Sequence, residues 1–296
     1  MAKKENILVN DYVILTDSAC DIKQEVLKNW QVDSCPLSFI FTGEDKEYSN
    51  YDLAPECFYD KMRGGAVAKT SAINTETFIG FFEPYLKEGK DILYLGFSSG
   101  LSTTYNCARM AAEELKTSYP ERKIFTVDTL CASAGQGLLV CLTVREKEKG
   151  ASVEDAAAFA ENNKMSICHW FTVDDLVYLK RGGRISPTVA FVGAVLGIKP
   201  VLHVDDEGHL ISVTKVRGRK AAIAALAEKY GELVKKDAQR KIFISHADCI
   251  EDAKALAKIL GETYHVDVEI ITDVGPVIGA QSGPGTLALF FVGKER

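Results

Sequence analysis

Residues 96–105 read GFSSGLSTTY, and the first five satisfy the G-x-S-x-G pattern in which a serine on a sharp strand-to-helix turn becomes a nucleophile. On that reading Ser98 is the nucleophile of a serine esterase and needs a histidine base oriented by a carboxylate. The chain offers His169, His203, His209, His246 and His265, with Asp248 two residues after His246. His169 lies in an apolar run, where a histidine is more often a satisfied core residue than a base. His203 reads as an exposed strand residue and His209 as a turn neighbour. Ser-His-Ala-Asp around His246 suits a helix start as well as a base. An elbow also calls for a helix directly after the nucleophile, whereas here Ser99-Gly100-Leu101-Ser102 intervene.

The same letters permit a second chemistry. Ser98, Ser99, Ser102, Thr103 and Thr104 place five hydroxyls in seven residues. Together with backbone N–H groups at a helix start they can surround a carboxylate or a phosphate. Capping alone would use one or two of them. Thr70-Ser71 precedes a helix start at Asn74, and GPVIGAQSGPG (275–285) has the glycines that let backbone approach a ligand closely. Each also has a plain structural reading, the first as a capped helix and the second as a rigid connection. The glycine loop lacks the lysine of a phosphate-binding P-loop. Lys180, Arg181, Arg184, Lys199, Lys215, Arg217, Arg219 and Lys220 gather in two segments. They form either a solvated face or a basic surface that docks an acidic partner or steers an anion.

Composition bounds these options. A chain of 296 residues with 47% hydrophobic and 26% charged content has an ordinary globular balance and room for two domains. A formal charge of -6 argues against the basic footprint of a nucleic-acid binder. Eight cysteines without a CxxC pair, and scattered histidines, give no local metal site. Cysteines within apolar runs suit a reducing compartment. No apolar stretch is long enough to span a bilayer, and the start MAKKENILVN has no leader-like apolar region. The expectation is a soluble, cytoplasmic protein without a metal or cofactor and without stable membrane insertion.

The elements that must position these residues follow from the hydrophobic pattern. YVILTDS, DILYLGF and KIFTVDT read as buried strands, each followed by a helix, which predicts a parallel sheet covered on both faces. Ligands on such sheets bind at the carboxyl ends of the strands. Asp17-Ser18, Ser98-Ser99 and Asp128-Thr129 should therefore gather on one edge. Pro84 should bend or divide the helix that opens at Asn74. Later, ICHWFTV, KIFISHA, VDVEIITDV and TLALFFVG read as strands, and IKPVLHV-DDEG-HLISVTKV as a hairpin. PTVAFVGAVLG reads as a small-residue-rich helix. The fold class expected is α/β in two domains: residues 1–166 as an α/β/α domain on a parallel sheet, and residues 167–296 as an α/β domain with a mixed sheet.

Taken in order, LTDSACD (15–21), KTSAINTETF (69–78), SSGLSTTYNCA (98–108), DTLCASAGQGLLV (128–140), FTVDDLVYLKRGGRIS (171–186), IKPVLHV (198–204), KVRGRKAA (215–222) and GPVIGAQSGPGTLALFFVG (275–293) resemble the DegV family of bacterial fatty-acid-binding proteins. That family includes the binding subunits of bacterial fatty acid kinase. The resemblance implies one long-chain fatty acid in a buried tunnel at or near the domain interface, its carboxylate tied by hydroxyls. A separate ATP-using kinase subunit then forms the acyl phosphate, and this chain is a non-catalytic carrier. A lipid-responsive regulatory binding protein is a further alternative.

Residue by residue, the threonine of the family's TSQP-like motif matches Thr70, and the serine of its SxLSGTY motif matches Ser102. Gln281 stands where a GAHTGPG pattern has histidine; its amide can donate a hydrogen bond but cannot become cationic. Ser71, Ser98, Ser99, Thr103 and Ser282 are secondary headgroup candidates. Phe97, Phe171, Phe191, Val192, Leu196, Ile198 and Phe290 are candidate tunnel walls. The family's basic docking surface would fall on Arg184, Arg217 and Arg219.

Overall fold

The computed structural model of the chain describes residues 11–185, 197–235 and 241–296. The first half runs β1 (Tyr12–Asp17), α1 (Gln24–Asn29), β2 (Val32–Cys35), β3 (Ser38–Phe41), β4 (Glu47–Ser49), α2 (Pro55–Arg63), β5 (Ala68–Ser71), α3 (Thr75–Lys87), β6 (Asp91–Gly96), α4 (Thr104–Ser118), β7 (Ile124–Asp128), α5 (Ala134–Glu148) and α6 (Val153–Asn163). The second runs β8 (Ile167–Thr172), α7 (Val177–Gly182), β9 (Ile198–Val204), β10 (Leu210–Arg217), α8 (Arg219–Leu233), β11 (Ile242–His246), α9 (Ile250–Tyr264), β12 (Ile270–Asp273), α10 (Pro276–Ser282) and β13 (Leu287–Val292). The fold is α/β. A parallel sheet in the order β2-β1-β6-β7 forms in the first half, and a mixed sheet in the order β10-β9-β8-β13-β11-β12 in the second.

Alternation sets which side of each strand meets which core. On β13, Leu287, Leu289 and Phe291 pack with α8 and α9, while Ala288 and Phe290 face the opposite side. That opposite side meets α5, whose residues from Ala134 to Val144 are all buried. A helix apolar all round must be covered all round. Here α5 packs on β1 and β6 of one sheet and on β8, β11 and β13 of the other. Gly135 permits this closeness, since a Cβ there would stand 2.2 Å from His169 Nε2.

Four local expectations are corrected. A third sheet, antiparallel in the order β4-β3-β5, places Thr70 on a strand instead of a loop. The helix α3 continues through Pro84; Phe78, Phe82 and Leu86 bury one continuous face, and that packing outweighs the loss of one helical N–H. GPVIGAQSGPG is largely the helix α10. Pro276 starts it at the position proline favours, and the Val277 N–H is taken by Asn50 Oδ1 at 2.8 Å. His203 is buried and stacked on Trp170, not exposed. The small-residue-rich segment 187–197, with Phe191, Val192 and Leu196, lies outside the described residues except for Gly197. Among the described residues no helix is long and apolar enough to cross a membrane.

Candidate functional site

The polar strand ends do converge. Asp17, fully buried at the end of β1, accepts from the Tyr94 hydroxyl at 2.6 Å and the Phe97 N–H at 2.9 Å. Asp128 Oδ1 accepts from the Ser99 N–H at 3.1 Å. These bonds fix the loop 97–103 over the carboxyl ends of the parallel strands. Burial pushes the Asp17 carboxyl above its ordinary range, against the hydrogen bonds that favour its ionised form.

Beside this loop lies a cavity of about 430 Å³. Its walls come from the 97–103 loop, the end of β5, α7, α10, and the α5-facing side of β8, β11 and β13. One side is polar and partly open. Thr70, Ser71, Ser99, Ser102, Thr103, Gln281 and Ser282 all line the cavity, with Ser71 and Thr103 exposed. Gln281 Nε2 donates to Thr70 Oγ1 at 3.0 Å. Among the described residues the Thr70 hydroxyl donates its own hydrogen to no acceptor. Gln281 Oε1 is buried without a partner among the described residues and lies against Gly182, where a Cβ would be 1.6 Å from it. Ser102 Oγ and Thr104 Oγ1 are 2.9 Å apart, at the start of α4.

Arg184 is the only lysine or arginine among the described residues lining the cavity. Its Nε donates to the Leu101 carbonyl at 3.2 Å and its Nη1 to the Gly182 carbonyl. The other two arginines expected on a docking surface lie elsewhere. Arg217 is exposed on β10, and Arg219 is paired with Asp252 at 2.8 Å. Among the described residues, no carboxylate lines the cavity, and no group of three or more His, Cys, Asp or Glu could hold a metal ion.

The apolar side is built from Phe97, Phe171, Ala288, Phe290 and Val277. Ile198 does not line it. Nor does Ser98, which is fully buried; its Oγ donates to the Gly208 carbonyl at 3.0 Å and accepts from the Gly100 N–H at 3.2 Å. A nucleophile elbow presents its hydroxyl to a base and a substrate. Here the hydroxyl hydrogen is spent on the β9–β10 turn, and no histidine bonds it among the described residues.

Among the polar cavity residues, Ser133 and Ser245 have no role assigned from sequence, and His169 reads there as a core histidine. The first two sit in DTLCASAGQG and KIFISHA, where a serine within or beside an apolar run was the available signal. His169 Nε2 accepts from the Ala132 N–H at 3.3 Å, which leaves Nδ1–H to donate to the Ile167 carbonyl at 2.9 Å. Burial and the nearby Arg296 cation hold it well below the usual histidine range, so it is neutral.

The family model described as "Uncharacterised protein, DegV family" matches residues 11–294. A DegV domain-containing protein of Clostridium perfringens is 44% identical over 288 residues, covering 96% of this chain and 98% of that one. The crystal structure of a DegV lipid-binding protein from Thermotoga maritima superposes with a TM-score of 0.83 at 31% identity, over 97% of this chain and 99% of that one. A DegV family protein from Thermus thermophilus, whose structure is described for its fatty acid binding, gives a TM-score of 0.85 at 29% identity, over 96% and 99% of the two chains. Matched along nearly its whole length in both sequence and fold, the chain belongs to the DegV family.

Proposed function

We propose that the chain binds one long-chain fatty acid in this cavity. The carboxylate sits at the polar rim with Thr70, Ser102 and Gln281, and the tail runs against the face of the mixed sheet. The observation that carries this reading is the division of one cavity into hydroxyls, an amide and a guanidinium on its open side and aromatic and aliphatic side chains behind. That division suits a ligand with one anionic end and a long apolar body. Each buried methylene contributes about 0.8 kcal/mol. The lipid and fatty acid binding named for the two structural relatives supports the same ligand class.

The fuller reading is a non-catalytic carrier of two domains, 1–166 and 167–296, with the ligand between them. It presents the carboxylate to a separate ATP-using fatty acid kinase. A carboxylate oxygen attacks the terminal phosphorus, ADP leaves, and an acyl phosphate forms. Arg184, Arg217 and Arg219 are the proposed docking cations, and Arg184 also balances the carboxylate charge at the rim. The buried, committed Ser98 hydroxyl weighs against a serine esterase.

Denaturing extraction and mass spectrometry of the purified protein test the binding claim. A stoichiometric long-chain fatty acid is expected. Recovery of none, with no uptake of added fatty acid, overturns it. Pull-downs with and without fatty acid separate a kinase from a partner that only reads the lipid-bound state.

A further inference from the structure

The cavity floor is not uniformly apolar. Ser245, Ala288 and Phe171 lie side by side in register on β11, β13 and β8, and all three line the cavity. Ser245 is fully buried, at a place where an apolar residue would serve a hydrocarbon tail. Its hydroxyl meets that of Ser133 at 2.9 Å, and Ser133 bonds Asp21 Oδ2 at 2.6 Å. Asp21 is itself anchored, its Oδ1 accepting from the Gly275 N–H at 3.0 Å.

Hydrogen counting along this chain leaves its outer end unspent. With Asp21 ionised, Ser245 donates to Ser133 and Ser133 to the carboxylate, and Ser245 keeps its lone pairs free. With Asp21 protonated the direction reverses, and Ser245 has its own hydrogen to give. Ser282, 5% exposed and also lining the cavity, has an Oγ with no partner among the described residues. A methylene can use neither the remaining capacity of Ser245 nor the Ser282 hydroxyl. A ligand hydroxyl both donates and accepts, so it fits Ser245 in either state, whereas a ketone fits only one.

We infer that the cavity prefers a fatty acid that carries a hydroxyl group on its chain, received by Ser245 at the buried floor. This rests on the fatty-acid reading above. The test is displacement of a fluorescent fatty acid from the delipidated full chain by stearic acid and by a set of positional isomers of hydroxystearic acid. At least one isomer is expected to bind about fivefold to tenfold more tightly than stearic acid, the worth of one added neutral hydrogen bond. Ser245→Ala is expected to remove that advantage and Ser245→Thr to keep it.

If every isomer binds no better than stearic acid, or if the advantage survives in Ser245→Ala, the inference is overturned while the fatty-acid reading stands. If neither stearic acid nor any isomer binds, both fall. The comparison on the unaltered chain needs no variant, so poor folding of a substituted protein does not shield the inference.

Discussion

Gln281 donates its side-chain N–H to the Thr70 hydroxyl at 3.0 Å, joining two residues 211 positions apart. One lies on β5 of the small antiparallel sheet and the other on α10. Because the amide uses a Thr70 lone pair, the Thr70 hydrogen is left to donate elsewhere, and in the proposed complex it donates to the carboxylate. Thr70→Val and Ser102→Ala are each expected to weaken fatty-acid binding by about tenfold to a hundredfold, the range for a hydrogen bond to a charged group. Calorimetric titration measures the loss, and unchanged affinity in both variants refutes the headgroup assignment.

Gly182 makes the Gln281 position available. A Cβ at residue 182 would lie 1.6 Å from Gln281 Oε1, so Gly182→Ala must push the amide off Thr70. Fatty-acid affinity is expected to fall by about fivefold or more, with a change in the unfolding midpoint of less than about 1 kcal/mol equivalent. A variant that binds as tightly as the parent would mean that Gln281 does not position Thr70.

Ser98→Ala separates an anchor from a nucleophile. The variant leaves the buried Gly208 carbonyl without its hydroxyl donor and is expected to lose about 1–3 kcal/mol of stability. Fatty-acid affinity of the folded variant should match the parent. Covalent labelling of Ser98 by a fluorophosphonate would restore the esterase reading.

Asp21 gives the protein a pH signature. Burial pushes its carboxyl up to about 7, from the 3.8 of a free side chain. Between those values the folded state holds a proton that the unfolded state has released. The contribution of this group is therefore greatest below about pH 4 and is lost as pH rises towards 7. His169 acts in the opposite direction: it is held neutral when folded, so stability is lost as pH falls below the ordinary histidine range. Asp21→Asn isolates the first effect. The asparagine oxygen can still accept from Gly275 and its amide can donate to Ser133. The stability of the variant relative to the parent is expected to rise by up to about 1.4 kcal/mol per pH unit across this window. Denaturant midpoints at about pH 5 and about pH 7.5 check the slope, and a pH-independent difference between the two proteins would refute it.

The sequence was most legible where one rule acted alone. β1, β6 and β7 announced themselves as continuous apolar runs, and the β9–β10 hairpin by its Asp206-Glu207-Gly208 turn. Asn74 caps its helix as expected, accepting from the Thr77 N–H, and Ser152 caps α6 in the same way, accepting from the Asp155 N–H. The small sheet and α10 were less legible because distant partners decide them. The Val277 N–H finds its acceptor in Asn50, and Gly279 has no Cβ because the Tyr59 hydroxyl occupies that space. Thr70 and Ser102 were reached through resemblance, and both line the cavity. Ser133 and Ser245 carried only a weak signal, since a serine within or beside an apolar run says nothing of the Asp21 carboxylate that Ser133 meets 112 positions away or of the Ser133 hydroxyl that Ser245 meets at the same separation.

Three early side chains hold the approach to α10. Tyr59 donates to the Val274 carbonyl at 2.6 Å, Asp21 accepts from the Gly275 N–H, and Asn50 accepts from the Val277 N–H. During synthesis these groups leave the ribosome more than 200 residues before their partners do. Until then the small sheet has no α10 to lean on, and Thr70 no amide to orient it. Long loops close slowly and late. A nascent chain can therefore complete its parallel sheet well before it has anywhere to put a ligand.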